Sequence, residues 1–280
     1  MARSRKGKTR AKKKNKRWIR ESCETVAEKE PRSRKLRNTI ILVTLALLLL
    51  FACVLWVNSP FKSLEPQQPT NTDVSKAGIV DGLWDEEPNP TMTEKMTQYL
   101  SNAGYTVDVY RGKNVTIDLL RNLSGYKVLI MRLHSSIHAD NFLYLFSGEE
   151  YTQSKYVAEQ LTGAVKMAFT FNESHPPYFA LNAIFLGSNS PEGLKGTTII
   201  LTGCNGTGEQ YVIQRLFERG VKTFISWDGY VDLSHSDEAT LELVKVLYSE
   251  GLGTREAVDK VNQKIGPDPF YKSKLVCDLP

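Results

Sequence analysis

From Lys76 onward, short apolar runs alternate with segments of helical period, and that alternation restricts the fold more than any other feature. Residues 77–83 (AGIVDGL) read as a strand. Thr93 is placed to cap a helix that carries Met96, Tyr99, Leu100 and Ala103 on one face and ends at Gly104. Residues 105–110 alternate as a strand does, Thr116 begins a second helix through Ile117, Leu120 and Leu123, and residues 127–133 form another apolar strand. A β-α-β-α-β order needs crossover connections, which are right-handed and lay helices over a parallel sheet. The rhythm resumes after residue 204, with a helix over 209–219, a strand over 221–227, a helix capped by Ser236 and closed by Gly251, and another capped by Thr254. Between them, residues 137–196 read as an insertion bordering a site. Residues 142–146 and 165–171 are strand-like and 154–161 helical, broken by Pro176-Pro177 and by the turn-rich stretch 187–193. The tail 267–280 shows no pattern. The expected fold is α/β, a three-layer α-β-α sandwich around a mostly parallel sheet, over residues 76–280.

The first quarter of the chain has a different composition. Residues 1–38 hold 16 Lys and Arg against 4 Asp and Glu, whereas the remainder holds 20 against 27. The formal charge of +5 therefore sums a basic tail and an acidic domain. Residues 39–57 carry no charge, and at 1.5 Å per residue such a helix reaches about 28 Å, close to the hydrocarbon thickness of a bilayer. Lys35 and Arg37 precede it, Trp56 sits near its far end, and no small-x-small cleavage pattern follows. These features predict an uncleaved signal-anchor, with the basic tail cytoplasmic and residues 58–280 outside the cytoplasm. The tail, disordered by composition, is expected to meet anionic lipid headgroups. With one aromatic, Trp18, and no recognition motif, it argues against nucleic-acid binding. Residues 58–75 contain three prolines and read as a spacer. Asn114, Asn122, Asn172 and Asn205 begin sequons, sites of glycosylation where a cell glycosylates exported proteins.

Chemistry concentrates at two strand ends. The strand over 127–133 runs into His134-Ser135, and the strand over 197–202 runs into Gly203-Cys204. Neighbouring parallel strands present their carboxyl ends at one edge, where open sheets bind ligands, so an imidazole and a thiol there can meet as base and nucleophile. A helix start at Gly208-Glu209 and a nearby imidazolium would favour thiolate. His138 is a rival base, and His175 and His235 read as surface loop residues. Taken singly, His134 reads as a strand-end histidine bonded to backbone and Cys204 as a small buried hydrophobe; a disulfide between Cys204 and Cys277 would remove the thiol. The turn Asn205-Gly206-Thr207-Gly208 has the form of an anion cradle but lacks the lysine and spacing of a P-loop. No His, Cys, Asp or Glu cluster has the spacing of a metal site.

A strand ending in His, an intervening segment, then a strand ending in Gly-Cys before a Gly-rich turn and helix resembles the caspase-like cysteine peptidases. That superfamily contains caspases, legumains, gingipains, separases and CHAT domains. The later order is most similar to the CHAT branch: Phe224-Ile225-Ser226-Trp227-Asp228, an acidic-capped helix, Gly251, then Thr254-Arg255-Glu256-Ala257. The likeness spans residues 76–264. It implies a caspase-haemoglobinase-like fold, a protein or peptide substrate and no cofactor or metal. His134 would be the base, Cys204 the nucleophile, and the N–H groups of Ser135 and Cys204 the oxyanion hole. The family usually has Gly at the position of Ser135 and generally works without an essential third residue. Asp228 would border the substrate pocket, where a carboxylate selects Arg or Lys; the competing reading, favoured by Asp-Gly chemistry, is a turn. Three functions remain open on these residues: a cysteine endopeptidase, a catalytically inactive relative that binds peptides or proteins, or an anion- or nucleotide-binding sensor at Asn205–Gly208.

Overall fold

The computed structural model describes Thr39, residues 41–48 and residues 75–280. The expectations for residues 1–38, for most of 39–57 and for the spacer up to residue 74 lie outside the described residues. Thr39 and residues 41–48 are helical and exposed, and among the described residues no helix is long and apolar enough to cross a membrane. The second unit of the chain, Asn71–Pro280, holds the core.

Its centre is a six-stranded sheet. β1 (Lys76–Asp81), β2 (Thr106–Arg111), β3 (Tyr126–Arg132), β8 (Thr198–Leu201) and β9 (Thr223–Trp227) are parallel, and β10 (Leu275–Asp278) closes one edge antiparallel to β9, in the order β10-β9-β8-β3-β1-β2. Successive side chains fall on opposite faces, so both faces carry apolar rows. Ile79, Val128, Ile130, Ile200, Ile225 and Trp227 meet α1 (Pro90–Asn102), α5 (Leu233–Tyr248) and α6 (Thr254–Lys264). On the other face, Val80, Leu129, Met131, Ile199, Leu201 and Phe224 meet α2 (Ile117–Asn122) and α4 (Gln210–Glu218). Helices thus cover both faces of a largely parallel sheet, as the alternation predicts.

The segment that reads poorly in the sequence is a second, antiparallel sheet. β4 (Ser135–Ile137), β5 (Leu143–Glu150), β6 (Val165–Ala168) and β7 (Tyr178–Asn182) pair in the order β4-β5-β7-β6, with α3 (Val157–Leu161) between β5 and β6. Its Leu143, Leu145, Val165, Phe179 and Leu181 pack into the same core cluster as α2 and α4.

Several local expectations need correction. Asn89, not Thr93, caps α1: its side chain accepts the Met92 N–H at 3.1 Å, and Pro90 follows as the first helical residue. Asp232, not Ser236, caps α5 by accepting from the N–H groups of Ser234 and His235. Ser236 is instead buried inside that helix, accepting from Trp227 Nε1 (2.9 Å) and donating to the Thr202 carbonyl (2.7 Å). The tail is ordered into β10 because Leu275 buries against the sheet. His235 lies in the first turn of α5 with its ring against Trp227, rather than in a surface loop.

Candidate active site

β3 and β8 are hydrogen-bonded neighbours, so the residues that follow them emerge side by side. His134 comes two residues after β3 ends and Cys204 three after β8, and both line one cleft of about 200 Å³. That volume is below the several hundred Å³ of a drug-sized ligand site and suits a single residue side chain. The two strand ends thus place both residues on one cleft.

Close packing holds the two loops together. The Ser135 hydroxyl donates to the Cys204 carbonyl at 2.7 Å. A side chain at residue 203 would collide with Ser135 Oγ and the Leu133 carbonyl, which is why the residue before the thiol is glycine. Ser135 needs no glycine-like backbone, because it is the extended first residue of β4. The Phe146 N–H donates to the His134 carbonyl at 2.9 Å. Ser135 and Leu145 therefore form a non-hydrogen-bonded pair of the ladder, and the Ser135 N–H points out of the sheet edge. Among the described residues, nothing accepts the Cys204 N–H. Neither N–H is thus given to another group among the described residues.

The resting thiol differs from the thiolate that the sequence suggests. Cys204 Sγ lies 3.8 Å from the Val231 carbonyl, a hydrogen bond that only the protonated thiol makes, and no hydrogen bond joins it to His134 among the described residues. Burial pushes the Cys204 thiol above its ordinary value, and the Asp268 carboxylate adds to that effect. The Asn205–Gly208 turn offers no compensating cradle, because the N–H groups of Asn205, Thr207 and Gly208 are already given to the carbonyls of Gly229, Trp227 and Asn205. Iodoacetamide is therefore expected to alkylate Cys204 several-fold more slowly than a free cysteine at pH 7, with a rate that climbs only as the pH passes the ordinary thiol range. Mass-spectrometric alkylation rates across pH 6–10 check this. Cys204 and Cys277 are both free thiols, so no disulfide joins the two.

His134 is half-buried, its ring edge-on to Phe146 at 5.9 Å, and its Nε2 lies 3.3 Å from Glu86 Oε2. The same oxygen is 3.1 Å from His175 Nδ1, which places His175 beside the site rather than on an open surface loop. Glu86 escapes a reading of the sequence, since it sits in an ordinary turn 48 residues from His134. Its position follows from register: β1 pairs with β3 so that Asp81 faces Arg132, and the chain past each strand end meets the other. Burial would raise the Glu86 carboxyl, but the histidines and Tyr178 hold it below the usual carboxylate range.

The cleft wall is aromatic and acidic. Phe171, Tyr230 and Tyr271 line it, with ring centroids 6.3 Å and 5.8 Å apart in succession, and Asp232 sits among them. Asp268, fully buried, organises this wall by accepting the N–H groups of Asp232, Phe270 and Tyr271. Asp228 is not part of the wall; its carboxylate accepts the Lys274 N–H at 2.8 Å, the turn role that Asp-Gly chemistry favours. His138, the rival base, pairs instead with Asp140 and Lys166 beside a separate cavity of about 350 Å³. Among the described residues no cluster of His, Cys, Asp and Glu is arranged to hold a metal ion. No protein-family model matches this chain, and no curated protein matches it either.

Proposed function

We propose that this protein is a membrane-anchored, outward-facing cysteine endopeptidase of caspase-like fold. The observation that carries the reading is that His134 and Cys204 border one small cleft, with the Cys204 N–H given to no acceptor among the described residues. In the first step, His134 takes the Cys204 proton and the sulfur attacks the peptide carbonyl. The developing oxyanion accepts from the N–H groups of Ser135 and Cys204, where one such donor is worth about 3–4 kcal/mol. The C–N bond then breaks, the imidazolium gives its proton to the departing amine, and a thioester remains. A water molecule, deprotonated by His134, attacks the thioester, and the sulfur leaves as the thiol with that proton.

Three aromatic rings beside Asp232, with no Lys or Arg among the described residues that line the cleft, favour a cationic side chain on the acyl side of the cleaved bond. A carboxylate thus takes the role expected of Asp228, from four residues further on. Peptides with Arg or Lys at that position are expected to be cleaved at least about tenfold faster than those with Asp or Glu, a difference of about 1.4 kcal/mol. Asp232→Asn keeps a good helix cap while removing the charge, so it is expected to narrow that preference without unfolding α5. Rates measured over a fluorogenic peptide panel test both statements; equal rates for basic and acidic peptides would refute them.

The basic tail and the uncharged run over residues 39–57 support the anchored placement. A second reading, a peptide-binding relative that does not cleave, is favoured by the resting bond from the thiol to Val231 and by burial, which holds the thiol above its ordinary value. Binding of the same peptides without turnover would select it.

A further inference from the structure

We propose that Glu86 is a positioning residue for His134, fixing its ring as the Nε2–H tautomer and leaving the Nδ1 lone pair to take the thiol proton; the catalytic part of this statement rests on the peptidase reading above.

The inference starts from what a carboxylate can do. An ionised carboxylate only accepts hydrogen bonds, so a ring nitrogen bonded to it must carry a proton. Glu86 is held ionised: burial opposes the charge, but the hydrogen bond from His134 and contacts with Tyr178 and His175 outweigh it. Its Oε2 faces Nε2 of His134 at 3.3 Å and Nδ1 of His175 at 3.1 Å, and the Glu86 side chain is only 11 % exposed. Both rings must therefore present an N–H to this one oxygen. A neutral imidazole has one N–H, so a neutral His134 that donates from Nε2 leaves Nδ1 unprotonated. That is the form required of a base toward Cys204, which shares its cleft.

The groups around Glu86 are few and come from separate elements. His134 follows β3, His175 lies in the loop before β7, and Tyr178 begins β7. The Tyr178 hydroxyl is raised to about 12, first by burial and then by Glu86, so it remains a donor at neutral pH. Phe146 packs against the His134 ring and limits its rotation. Glu86 thus ties together the candidate base and the loop that brings Phe171 to the cleft.

That double contact decides the design of the test. The chain has four histidines, so ring ¹⁵N signals of the full-length protein in detergent micelles can be assigned with single-histidine variants. At pH 7.5 the neutral His134 ring is expected to be the Nε2–H tautomer in the native chain and in His175→Ala. In Glu86→Gln, whose amide can turn to donate as well as accept, and in Glu86→Ala, a mixture of tautomers is expected. On a cleaved peptide, Glu86→Ala is expected to lower kcat about 10²- to 10³-fold with KM within about twofold, whereas His175→Ala lowers kcat by less than about fivefold. An Nδ1–H ring in the native chain, or an unchanged tautomer in both Glu86 variants, overturns the proposal. Equal kcat losses in Glu86→Ala and His175→Ala also overturn it, because Glu86 would then act through the loop. If the native chain cleaves nothing, the peptidase reading falls, and the tautomer still decides whether Glu86 sets the His134 ring.

Discussion

Replacing Arg132 by methionine is expected to lower the free energy of unfolding by about 3–5 kcal/mol. Arg132 ends β3, two residues before His134, and is almost fully buried. Its guanidinium donates to both oxygens of Asp237 (2.8 and 2.9 Å) and to Asp81 (3.0 Å), and the Asn89 amide adds a further bond to Asp237 (2.9 Å). The network joins the ends of β1 and β3 to α5 and to the cap of α1. A guanidinium suits this place because its fixed fork reaches two carboxylates at once. Methionine would fill the space but leave two carboxylates together away from water. Burial already holds Asp81 above the ordinary carboxylate range, against the pull of Arg132. A carboxyl whose folded value is raised contributes stability below its unfolded value, and that contribution is lost as the pH rises through the folded one. The Arg132→Met penalty is therefore expected to shrink on acidification, as Asp81 takes up a proton. Denaturant melts of the full chain at two pH values, followed by tryptophan fluorescence, measure this. A loss below about 1 kcal/mol, the worth of an exposed ion pair, would contradict it. Replacing Asp81, Arg132 and Asp237 together by apolar residues of similar volume is expected to recover most of the loss.

The largest catalytic effect is expected from the thiol. Cys204→Ala should reduce peptide turnover on the order of 10⁵-fold, and His134→Ala by a comparable factor. The two act as one unit, so the double variant should be little worse than either single one. The Cys204 side chain is only partly buried and makes one weak bond, to Val231, so its removal should leave the fold intact, as circular dichroism can confirm. Turnover in Cys204→Ala within about tenfold of the native chain, a barrier change of only about 1.4 kcal/mol, would mean that another group performs the chemistry.

The parts of this fold that were legible in the sequence are those with strong period and clear ends. β3 and β8 announce themselves as unbroken apolar runs because both faces of the sheet are covered. Their adjacency follows from the crossover rule, and with it the place of His134 and Cys204 on one cleft. The antiparallel sheet was not legible. β4 has three residues and β7 five, and their hydrophobic character comes from partners far along the chain. The Asn89-Pro90 pair was a readable cap signal that Thr93 obscured. Glu86, Asp232 and Asp268 could not be found by pattern, because each looks like an ordinary loop carboxylate until the sheet register brings it to the cleft. The thiol's resting state was equally hidden, since it depends on the Val231 carbonyl and on burial rather than on the helix that follows.

The central claim, that position 134 activates the sulfur at position 204 for attack on a peptide carbonyl, is tested most directly by comparing two electrophiles on the full-length chain at pH 7. A peptidyl acyloxymethyl ketone ending in arginine should modify Cys204 at least about 100-fold faster than iodoacetamide, and that advantage should disappear in His134→Ala. Equal rates for the two reagents, or a peptidyl adduct that forms just as fast without His134, would contradict the account.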